Sequence, residues 1–165
     1  MAKVEKVEGV RETADLIAFR SLVQEKRGGP HFYATLLGLG SLESTDLLER
    51  VEAGFSYKTF ERFQRNIDLQ TEELASLVRI KVRTLARRRE AGRLTADESD
   101  RLLRASRVFG KALALFEGDV EAARSWFSSP APALKDRAPQ DVSTTDVGAR
   151  EVENLIGRLE HGVFS

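Results

Sequence analysis

Residues 95–116, TADESDRLLRASRVFGKALALF, constrain the fold more than any other stretch of this chain. Thr95 and Glu98 stand at the spacing of a capping box, in which hydroxyl and carboxylate satisfy each other's free backbone amides at a helix start. Leu102, Ala105, Phe109, Ala112, Leu113 and Phe116 then recur at helical spacing, while Arg101, Arg104, Arg107 and Lys111 fall on the other side and are expected to face water. This is the longest helix that the pattern predicts. The rest of the chain shows the same period and no convincing alternation of a half-buried strand. The expected fold class is all-α.

Shorter helices surround this one. Thr13 to Gln24, with Leu16, Ile17, Phe19, Leu22 and Val23, reads as an amphipathic helix broken by Gly28, Gly29 and Pro30. Ser41 opens another that turns Leu47, Leu48 and Val51 inward and ends at Gly54, and Ser56 caps a third carrying Tyr57, Phe60 and Phe63. Asp119 caps a helix with Val120, Ala123, Trp126 and Phe127. Pro130, Pro132 and Pro139 force an extended or kinked path beyond it. Thr145 then caps a last helix with Val152, Leu155, Ile156 and Leu159 on one stripe, stopped by Gly162.

The segment TEELASLVRIKVRTLARRREAG reads as a helix-turn-helix. Thr71 is the expected N-cap of its first helix, which buries Leu74, Ala75 and Val78. A turn through Arg79, Ile80 and Lys81 leads to a second helix from Val82 to Ala91, closed by Gly92. Arg79 holds a turn position where glycine is usual, so it must accept a positive φ. On a helical wheel, Val82, Leu85, Ala86 and Arg89 face the protein body, Arg83, Thr84 and Arg87 lie opposite, and Lys81 and Arg88 sit at the flank. The DNA-binding candidates are therefore Lys81, Arg83, Thr84, Arg87 and Arg88. Arg83 and Arg87 suit bidentate contact to guanine and Arg88 a phosphate, while Arg89 is expected to lay its stem on the core edge and pair with a carboxylate.

Charge is divided along the chain. The 26 basic and 26 acidic residues cancel. Yet residues 71–93 hold an excess of arginine and lysine, and residues 117–165 an excess of aspartate and glutamate, which points to two surfaces with different partners. The absence of cysteine excludes disulfides, thiolate nucleophiles and cysteine metal sites. The charged N-terminus lacks a signal-peptide apolar region and no run approaches a membrane span, so a cytoplasmic protein is expected, with no membrane partner. Nothing brings His31 and His161 together, and phosphate-binding loops, HExxH and GxSxG are missing. No enzymatic activity and no cofactor are expected.

Several strings taken in order carry a more specific signal: GFSYKTFERF, the run from Glu73 to Phe116, ARSWFSSPAPAL, and RAPQDVSTTDVGAREVENLIGRLEHGVFS. Together they resemble the Xre-type antitoxins of the MbcA/ParS/Xre family, which join a helix-turn-helix to a C-terminal toxin-binding domain. The resemblance implies a toxin partner, commonly an NAD-degrading RES-type toxin whose active site the antitoxin blocks, and repression of the operon that encodes both. A single helix-turn-helix buries little surface and gains affinity by presenting two recognition helices to paired half-sites, so a homodimer or a higher hetero-oligomer with toxin is expected. The implied organisation is an N-terminal extension (1–50), a DNA-binding region (51–94) and a toxin-binding domain (95–165). Within the last, Pro139, Asp141, Arg150, Glu153, Arg158, Val163 and Phe164 are the expected toxin contacts. The alternative is a helix-turn-helix regulator with a C-terminal effector-binding or dimerisation domain and no toxin.

Overall fold

The computed structural model describes residues 12–27, 29–40 and 43–162. Its helices are α1 (Ala14–Glu25), α2 (Ser44–Ala53), α3 (Tyr57–Ile67), α4 (Thr71–Leu77), α5 (Val82–Ala91), α6 (Ala96–Leu115), α7 (Val120–Ser128), α8 (Pro139–Val142) and α9 (Asp146–Glu160). Two 3₁₀ segments, Phe32–Leu37 and Pro132–Leu134, complete the order. Among the described residues there are no strands, only the isolated bridges Ser56 to Arg93 and Ala131 to Arg137. The chain is all-α. No described helix is long and apolar enough to cross a membrane.

The capping box forms as expected. Glu98 N–H donates to Thr95 Oγ1 at 3.2 Å, and Thr95 N–H donates to Glu98 Oε1 at 2.9 Å. From this start α6 buries Leu102, Ala105, Phe109, Ala112 and Leu113 and packs against α2, the first 3₁₀ segment, α7 and α9. Its cationic side is less wet than the pattern implied. Arg107 Nε and Lys111 Nζ reach Glu153 on α9 at 2.8 and 2.6 Å, and Arg104 lies 3.6 Å from Asp100 and 3.9 Å from Asp146. The apolar stripe of α9 seats Val152, Leu155 and Ile156 in the core, and the long cation stems cover the seam beside it while their charged ends find carboxylates.

The N-terminal elements are tied into the same hydrophobic cluster. Leu16 and Phe19 of α1 are fully buried, as are Leu36 and Leu37 of the 3₁₀ segment. Arg62 clasps Asp15 through Nη2 at 2.7 Å and Nε at 3.0 Å, Asn66 donates to Leu36 O at 2.8 Å, and Arg20 Nε donates to the carbonyl of Gly118 at 3.0 Å. Residues 12–27 and 29–40 thus brace α3 and the end of α6. Ile17 and Leu48, expected to turn inward, are 59% and 56% exposed, because Leu16 and Leu47 beside them take the inward positions. The N-cap of α4 is Gln70 instead of Thr71: Glu73 accepts from Gln70 N–H at 2.9 Å, and Thr71, now the first helical residue, accepts from Gln64 at 2.9 Å.

Candidate functional site

The helix-turn-helix is built from α4, a three-residue turn and α5. Val78 ends α4, and Arg79 takes φ = 54°, a left-handed conformation that costs a non-glycine residue about 1 kcal/mol. Ile80 N–H closes the turn on Ala75 O at 2.9 Å and Ile80 itself is buried, while Arg101 on α6 donates to Arg79 O at 3.2 Å. The turn is held from both sides, which offsets the local strain.

The rotation of α5 about its axis differs from the wheel by about one residue. Leu85 is buried and Arg88 half-buried, so these two face the body; Val82, Ala86 and Arg89 are exposed. Arg88 Nε, not Arg89, finds the carboxylate, bonding Glu98 Oε1 at 2.6 Å. Arg88 therefore turns its guanidinium inward and not toward a flanking phosphate. The physical reason is that α5 has a single large apolar residue. Leu85, with Ile80 before it and Leu94 after it, sets the phase, and Val82 and Ala86 are too small to compete. Lys81, Arg83 and Arg87 remain exposed as expected, Thr84 is half-buried, and Arg87 Nη2 lies 3.4 Å from Thr84 Oγ1.

Glu98 is the anchor of this arrangement and is 4% exposed. Burial pushes its carboxyl up, but the hydrogen bonds from Arg88 and Thr95 more than offset this and hold it below its ordinary value of 4.5. A depressed folded-state pKa contributes stability that is present above the ordinary value and lost as pH falls through the folded value. Glu98→Gln is expected to destabilise the chain by about 1 kcal/mol at neutral pH, a figure discounted for the partial exposure of Arg88. Thermal melts of variant and wild type should converge below pH 4.5; a constant gap at all pH would remove the Arg88 to Glu98 pair as its source.

The second surface lies on α8 and α9. Asp141 and Arg150 are exposed, Arg150 pairing with Asp146 at 3.0 Å. Glu153, expected to meet a partner, is instead occupied by Arg107 and Lys111 across the α6 seam. Pro139, also expected at the surface, is buried as the first residue of α8, where its missing N–H costs nothing. Arg158 is half-buried with an interaction of its own, and Val163 and Phe164 lie outside the described residues. Glu151, Asn154, Gly157, Arg158 and His161 border a shallow depression on the outer side of α9. His31 stands elsewhere, its ring bonded to Tyr33 Oη at 2.9 Å and Ser44 Oγ at 2.7 Å.

Three glycines inside helices separate by environment. A Cβ on Gly110 would lie 2.6 Å from Tyr33 Cβ, and one on Gly148 would overlap the carbonyl oxygen of Val142. A Cβ on Gly157 would have no neighbour within 4 Å. Nothing in its own fold asks for glycine at 157. The sequence pattern alone does not reveal this, because glycine inside a helix looks the same whether or not a neighbour crowds it.

Comparison with known proteins finds two family matches along the chain. Residues 46–107 match the antitoxin Xre-like helix-turn-helix domain, and residues 111–162 match the antitoxin Xre/MbcA/ParS C-terminal toxin-binding domain. A protein of Yersinia enterocolitica named antitoxin Xre is 39% identical over 130 residues, covering 78% of this chain and 88% of that one. The antitoxin Xre of Photorhabdus laumondii is 39% identical over 94 residues, covering 56% of this chain and 64% of its own. That of Pseudomonas putida is 36% identical over 84 residues, covering 50% and 52%.

Proposed function

As a member of the Xre/MbcA/ParS antitoxin family, in which a helix-turn-helix is joined to a toxin-binding domain, this chain is a type II antitoxin, and we propose that its toxin is of the NAD-degrading RES type. In this reading the chain blocks the toxin's active site through residues 95–165 and represses their shared operon through residues 51–94. It takes no cofactor and performs no catalysis itself. The observation that carries the division of labour is the cationic face of α5, where Lys81, Arg83 and Arg87 are exposed. The toxin-binding match lies apart from it, over residues 111–162.

On the DNA side, Arg83 and Arg87 read bases and Lys81 and Thr84 position the helix on the backbone. Arg88 holds the reading helix in register through Glu98. A second copy of the chain supplies a second α5 to a half-site about 34 Å away. Arg87→Ala is expected to cost about 1–3 kcal/mol of operator affinity, roughly 5- to 150-fold, and to relax one base position. Gel shifts at fixed salt with the duplex upstream of the coding region measure it; undiminished discrimination in the variant would remove Arg87 from base reading.

On the toxin side, Asp141, Arg150 and Arg158 border the contact, and the toxin backbone approaches α9 at Gly157. An open glycine in a helix costs about 1 kcal/mol relative to alanine, and close approach of a partner is what that cost secures. Gly157→Ala should therefore raise the melting temperature of the free chain while weakening inhibition of NAD consumption by the co-purified toxin. Unchanged inhibition would clear Gly157 of contact. A co-purified toxin that leaves NAD intact would sink the RES assignment and leave the family membership standing.

A further inference from the structure

Val82 is 49% exposed at the first position of α5, and Ala86, one turn later, is exposed as well. Residues at this spacing share a stripe, and Arg83 and Arg87 form the adjoining exposed stripe about 100° round α5. Apolar side chains on the open side of an otherwise cationic helix contribute nothing to the core, since Leu85 fills the inward position. Exposed Lys81, Arg83, Arg87 and Arg89, against Glu90 alone on this helix, make a protein or lipid surface without negative charge a poor occupant. They complement a polyanion.

We propose that Val82 and Ala86 form an apolar strip that reads the C5 methyl groups of thymines in the major groove, beside the bases contacted by Arg83 and Arg87. The proposal rests on the DNA-binding reading above and names what that face recognises. The N-terminal residues of a recognition helix are those that contact base edges, and Val82 stands first. In the major groove the thymine methyl is the apolar feature, and small apolar side chains are its partners. Cytosine at the same place presents an amino donor, which neither valine nor alanine can accept. Four residues of helix advance ~6 Å, close to two base-pair steps of ~3.4 Å, so the two side chains address thymines about two steps apart.

The test uses the full chain and duplexes that it selects from a randomised pool at fixed salt. Each thymine of a selected duplex is replaced in turn by deoxyuridine, which removes the methyl group and keeps the base pair. At one or two thymines the wild-type chain is expected to lose about three- to fivefold in affinity, the worth of one buried methyl group. Val82→Ser should bind the thymine and deoxyuridine forms of one such site equally. Its melting temperature should match the wild type, because the residue is exposed. A wild-type chain indifferent to every replacement overturns the proposal, as does a deoxyuridine penalty that survives unchanged in both Val82→Ser and Ala86→Ser. A pool that yields no preferred duplex overturns sequence reading by α5 altogether, and this proposal with it.

Discussion

Gly148→Ala is expected to lower the melting temperature by roughly 6–12 °C, from a loss of about 3 kcal/mol or more. Gly148 lies in the first turn of α9, where its N–H donates to Thr145 Oγ1 at 3.1 Å. The turn from α8 comes back so closely that an added Cβ overlaps the Val142 carbonyl oxygen. The obstacle is backbone, which no rotamer change can move aside. Either α8 lifts off or the first turn of α9 unwinds, and both disturb the segment matched to toxin binding. Below the new melting temperature DNA binding should persist while toxin binding falls. A melting temperature within 2 °C of the wild type would mean that α8 and the start of α9 part to admit the methyl group at little cost.

Phe109→Ala should be as damaging by another route. The ring is fully buried near the middle of α6 and meets Phe127 of α7 edge-on, with centroids 5.5 Å apart. Truncating a buried phenylalanine costs about 3–5 kcal/mol through lost burial and the cavity left behind. Because this core is shared, DNA binding and toxin binding should fail together as denaturant is added, at a lower midpoint than in the wild type. Separate loss of the two activities would show that the cluster around Phe109 serves only one of them.

The fold was legible wherever one strong signal decided it. The Thr95 to Glu98 box and the stripe from Leu102 to Leu113 define α6 without help from any other residue, and the Thr145 cap and the Val152, Leu155, Ile156 stripe do the same for α9. The site was less legible because its details are set by neighbours distant in sequence. The phase of α5 depends on Leu85, Ile80 and Leu94 meeting one core, and a wheel drawn from α5 alone counts Val82 and Ala86 as inward for being apolar. Glu153 lies outside the apolar stripe of α9 and so reads as available, but Arg107 and Lys111, more than 40 residues earlier, claim it. The positive φ of Arg79 was foreseeable, since the turn geometry requires it whichever residue stands there.

The central position of α6 also bears on how the molecule is made. This helix backs the helix-turn-helix through Glu98 and Arg101, yet much of its surface is covered by α7 and α9, which are synthesised after it. While the chain is still growing, Phe109 lacks Phe127, and Arg107 and Lys111 lack Glu153. Elements tend to fold as they emerge, but here the earlier half must wait for the later one before its own core closes. On the proposed division of labour, the faces for operator and for toxin therefore become available only once this shared core has closed.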